Sequence, residues 1–116
     1  MDGTRQTYVH VAELLLRWDN EAAAPGGAVT EALCGSVDHQ PPCRWPHHNA
    51  IGSVSRPAHF RTVFVAPPDE ESEVRALIDR GLRSGTWDVR STGPGVVQER
   101  ERALGERLAG SVPDSD

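Results

Sequence analysis

The stretch from residue 35 to 57 constrains this chain most, because it offers a fold almost nothing periodic to bury. It holds four prolines, three histidines, one cysteine and one tryptophan. Structureless segments of about twenty residues are uncommon in small domains, and those that occur tend to be functional or disordered. The whole chain has 116 residues, 37% of them apolar, with nine prolines and eleven glycines. Its core must therefore be modest. Something other than buried hydrocarbon is expected to order the middle third.

The residue types in that stretch name a candidate. Cys34, His39, Cys43, His47 and His48 fall within fifteen residues, both cysteines and three of the five histidines of the chain. Zinc takes four thiolate or imidazole ligands in a tetrahedron, and short separations let a loop curl round the ion. The expected shell is Cys34, His39, Cys43 and either His47 or His48, since spacing alone does not choose between neighbours. With only three protein ligands, water would complete the shell and the metal would acidify it, which is a catalytic arrangement. A structural metal supplies about 10 kcal/mol of apparent folding free energy, far more than the few apolar residues here. The spacing matches none of the common zinc-finger signatures. A Cys34–Cys43 disulfide would instead stabilise by about 2–3 kcal/mol, and it requires an oxidising compartment. The remaining alternative is a plain loop pinned to the core by Trp45.

Around this segment the pattern reads as an α+β fold, a small mixed or antiparallel sheet covered on one face by two helices. One domain over 1–116 is expected, with strands at 7–18, 28–34, 59–66 and 86–91. A Cys/His loop over 35–58 and helices at 69–84 and 96–109 complete it. The first helix is the clearest element. Val74, Leu77, Ile78 and Leu82 form its stripe, acidic residues crowd its first turns, and Glu71–Arg75 and Asp79–Arg83 are spaced as ion pairs. Pro25-Gly26-Gly27 reads as a loop and Ser91 to Gly95 as a turn. Trp18 and Trp87 are expected in the core. His10 and His59 are more distant candidate ligands.

Charge and composition exclude several classes. All twelve basic residues are arginine, which suggests a GC-rich bacterial coding background rather than a phosphate partner. The net charge of −5 argues against nucleic-acid binding. No apolar run is long enough for a membrane span and no secretory leader is evident, so a cytoplasmic location is expected. No phosphate-binding glycine loop, dinucleotide fingerprint or nucleophile elbow is present. The expected function is a zinc-stabilised module that binds a protein or a small ligand. The alternatives are a small metal-dependent enzyme, or a metal-free accessory protein that dimerises because its own core is thin.

Overall fold

The computed structural model of this protein describes residues 5–35, 44–52 and 57–110. Four strands and three α-helices are present among them: β1 (Gln6–Leu15), α1 (Ala24–Cys34), β2 (His47–Ile51), β3 (Ala58–Ala66), α2 (Glu71–Arg83), β4 (Asp88–Gly95) and α3 (Glu99–Gly110). A short 3-10 helix over Pro68–Glu70 leads into α2. The sheet order is β2-β3-β1-β4, and every neighbouring pair is antiparallel. A β-α-β-β-α-β succession with that order is the split-βαβ, ferredoxin-like arrangement. The α+β class matches the sequence expectation. Its layering does not.

Alternation along the strands sorts the two faces. Tyr8, Ala12 and Leu14 of β1 point the same way as Phe60 and Phe64 of β3. They meet Val29 and Leu33 of α1 and Val74, Ile78 and Leu82 of α2 in one apolar cluster. Each fully buried Leu or Phe here contributes about 2–3 kcal/mol relative to exposure. The opposite, outer face carries α3 alone. Gly105 of α3 sits so close to Thr7 that a β-carbon there would fall 2.8 Å from Thr7 Cβ. Arg61 of β3 reaches Glu101 of the same helix. The expectation of two helices on one face is therefore corrected: α1 and α2 cover one side, and α3 lies on the other.

Several elements depart from the sequence reading for identifiable reasons. The strand expected over 28–34 is instead the second half of α1. Pro25 stands at the start of that helix, where its missing N–H costs nothing. Gly26 lets α1 approach β2 closely, because a β-carbon there would meet Asn49 Cβ at 3.2 Å. Val29 and Leu33 are the buried i, i+4 pair, and Gly35 closes the helix with φ of 79° and its N–H on the Glu31 carbonyl. The loop expected over 35–58 contains β2. The first strand stops at Leu15, so Trp18 is 97% exposed rather than in the core. The last strand runs on through the expected turn to Gly95, with Pro94 tolerated because β4 is an edge strand.

Trp45 is the anchor expected of it. Its ring is buried, and its Nε1–H donates to Glu70 Oε1 at 2.8 Å. Arg44 stacks on that ring at 4.5 Å and pairs with Glu70 Oε2 at 2.9 Å. Glu70 thus ties the segment entering β2 to the start of α2. The Trp45 hydrogen bond, helped by Arg44, holds its carboxyl below the usual range.

Candidate functional site

Of the sequence cluster, Cys34, His47 and His48 belong to the described residues. His47 and His48 are adjacent on β2 and so face opposite sides of the sheet. His47 is buried on the helix-covered side. Its Nδ1 lies 3.0 Å from the Trp45 carbonyl, which can only accept, so Nδ1 carries the hydrogen. Its Nε2 lone pair, the one a metal would use, then accepts the Thr30 hydroxyl at 3.0 Å. His48 is exposed on the outer side. Cys34, at the last position of α1, is disulfide-bonded, and the chain has one other cysteine, Cys43. His39 and Cys43 lie outside the described residues. No group of three or more His, Cys, Asp or Glu side chains suited to a metal occurs among the described residues. None of their helices is long and apolar enough to cross a membrane.

His10, the distant candidate on β1, is also held within the fold. Arg75 Nη1 donates to its Nδ1 at 3.1 Å, which places its hydrogen on Nε2, 3.0 Å from Asp79 Oδ1. Thr92 closes the group, with its oxygen 2.8 Å from His10 Nε2 and its hydroxyl on Asp79 at 2.6 Å. Asp79 therefore turns to the sheet instead of forming the expected pair with Arg83. Arg75 does pair with Glu71, at 2.8 Å, and also donates to the Val9 carbonyl. Burial holds the His10 imidazole below its ordinary pKa, with the Arg75 charge acting the same way and Asp79 opposing both.

The outer face holds polar groups of another kind. Beside α3 lies an open cleft of about 460 Å³, built from the middles of β1 and β4 and the start of β3. Register brings the parts together: Glu13 pairs with His59 on one side and with Ser91 on the other, and Val11 lies between Arg61 and Gly93. Val11 and Gly93 make the floor. A β-carbon at Gly93 would meet nothing within 4 Å, so glycine leaves this floor open. Glu13 links the polar wall, 3.4 Å from the Ser91 hydroxyl and 3.9 Å from His59 Nδ1. Arg61 closes the opposite side and is firmly held. Its Nε and Nη2 each donate at 2.8 Å to the Glu101 carboxylate, and Nη2 also reaches the Val96 carbonyl. The bidentate bond lowers the Glu101 pKa and raises that of Arg61.

An apolar floor with a carboxylate, an imidazole, a hydroxyl and a guanidinium converging on it is the usual composition of a small-molecule site. Except for His59, sequence reasoning did not single these residues out. The usable signal was charge at alternate positions of otherwise apolar strands, Glu13 in β1 and His59 and Arg61 in β3. No family model, curated protein or solved structure matches this chain.

Proposed function

We propose that this protein is a binding module for a small organic molecule, held on the outer face of the sheet between Glu13, His59, Ser91 and Arg61. The carrying observation is Gly93. Beside it the outer face of the sheet is left uncovered, and the strand presents a bare floor ringed by groups able to donate or accept hydrogen bonds. Glu13 and His59 would orient a hydroxyl or amine of the ligand, with Val11 beneath its apolar part.

This reading does not call on zinc. In its support, Cys34 is engaged as a disulfide and the free lone pair of His47 is taken by Thr30. A disulfide persists best in an oxidising compartment, which pulls against the cytoplasmic location expected from the sequence. Elemental analysis with thiol titration tests this part: neither zinc nor a reactive thiol is expected in protein purified without reductant. Stoichiometric zinc with two free thiols would restore the metal reading.

Gly93→Leu tests the cleft itself. The substitution fills the floor without touching the core, so the thermal midpoint should hold while binding is lost. The probe is benzyl alcohol with related neutral alcohols and amines, followed by amide NMR of isotope-labelled protein. Shifts centred on Val11, Ser91 and Gly93 that disappear in Gly93→Leu are expected. Shifts that survive the substitution, or none at millimolar probe, would sink the reading.

A further inference from the structure

On the far side of Arg61 a second recess, of about 350 Å³, runs between α3 and the outer face of β2 and β3. Ala50, Val63 and Leu104 give it an apolar base, and His48, Arg100 and Arg107 form its rim. Arg100, Leu104 and Arg107 stand at i, i+4 and i+7, so one helix face supplies both guanidiniums with an apolar residue between them. Arg61 lines this recess as well as the Gly93 cleft, and the two are therefore neighbours.

The charge here runs against that of the whole chain. The protein carries a net −5, yet three guanidiniums line the recess against one carboxylate, Glu101. That carboxylate is already engaged by Arg61 through two bonds. Glu99 and Glu106 of the same helix are not among the lining residues. Arg100 and Arg107 stand two helical turns, about 10 Å, apart, so an anion seated over Leu104 can draw on both guanidiniums. Guanidiniums bind planar or tetrahedral oxyanions through paired N–H donors.

We infer that this recess is an anion site, taking the carboxylate or phosphate of the organic ligand whose remainder occupies the Gly93 cleft. The inference rests on the binding function proposed above and narrows its ligand to an organic acid or phosphate monoester.

The test titrates the intact protein with inorganic phosphate, benzoate, phenyl phosphate and benzyl alcohol, read by amide and guanidinium NMR. An anion that binds should shift His48, Ala50, Arg100 and Arg107, and the double variant Arg100→Gln, Arg107→Gln should bind it at least tenfold more weakly. Both arginines are exposed, so an unchanged thermal midpoint confirms that this variant folds. Benzoate against phenyl phosphate distinguishes a carboxylate ligand from a phosphate. Anion binding that the double variant retains, or shifts spread evenly over all arginines and abolished by physiological salt, would overturn the anion site. Gly93→Leu separates the two claims. If it leaves inorganic phosphate bound while benzyl alcohol never binds the wild type, the anion site stands and the cleft reading fails. If benzyl alcohol binds and no anion does, the reverse holds.

Discussion

On the covered face of the sheet, His10, Thr62 and Asn49 form one row across β1, β3 and β2, and each finds its partners inside the protein. Thr62 donates to Asn49, which donates in turn to the Gly26 carbonyl and the Thr30 hydroxyl. On the outer face, Glu13, His59 and Ser91 also form a row, yet their mutual contacts are long and the space above them is open. The same strands thus carry two kinds of polar residue. A buried polar group must be paired or it costs about 1–3 kcal/mol, so the inner row is architecture. The outer row is under no such demand and is available to a ligand.

The sharpest way to break this division is to damage each face alone. Phe64 is fully buried on the covered side and stacks on Tyr8 at 5.4 Å. Phe64→Ala should cost about 3–5 kcal/mol, measured by chemical denaturation. A loss below about 1 kcal/mol would mean that the covered face is not the main core.

The disulfide at Cys34 comes next. Cys34 ends α1 and packs against the same cluster. Reduction, or Cys34→Ser, should lower stability by about 2–3 kcal/mol through the greater freedom of the unfolded chain. An unchanged denaturation midpoint after full reduction would show that Trp45 and Glu70 hold the segment without it.

How much of this was legible in the sequence follows from where each side chain finds its partner. The α2 helix could be read because its stripe, its first-turn acids and its Glu71–Arg75 pair are local. The β2 strand could not. Two of its three inward residues, His47 and Asn49, are polar, so no apolar alternation marks it, and the groups that satisfy them include Thr30 and Thr62, seventeen and thirteen residues away. The first half of α1 carried a loop signature, and only contact with Asn49 explains why Gly26 belongs in a helix. The candidate site was hidden for a related reason. Glu13, His59 and Ser91 are scattered through the chain, and only the register of three strands joins them. Within the conspicuous cluster, spacing could not choose between His47 and His48; the strand does, turning His47 inward and His48 outward.

A smaller effect isolates the outer face. At Gly105 an added methyl would collide with Thr7, so Gly105→Ala must push α3 away from β1. The expected loss is about 1–2 kcal/mol, with the covered core intact. The near-ultraviolet signal of Trp45 and Trp87, both on the covered side, should stay native while anion binding at Arg100 and Arg107 weakens. A loss of tryptophan signal in step with binding would show that the two faces unfold as one.

The least of the expected effects concerns pH, and it tests whether the hydrogen bonds of the inner row keep that row closed to protons. His10 titrates below its ordinary value of 6.5 in the folded protein, chiefly because burial penalises the imidazolium. The unfolded chain therefore takes up a proton as pH falls through 6.5 while the folded protein does not. The stability His10 contributes is complete above that pH and erodes below it, down to its folded value. Glu70 and Glu101 are depressed from 4.5, so their contributions persist above 4.5 and are lost only as pH falls through their lower folded values. Inside the His10 window and above that of the carboxylates, from about pH 6.5 to about pH 5, the thermal midpoint of the wild type should fall more steeply than that of His10→Gln. Parallel slopes would mean that the folded protein accepts the proton, with Asp79 stabilising the imidazolium against the penalties of burial and Arg75. The inner row would then be as open to chemistry as the outer one.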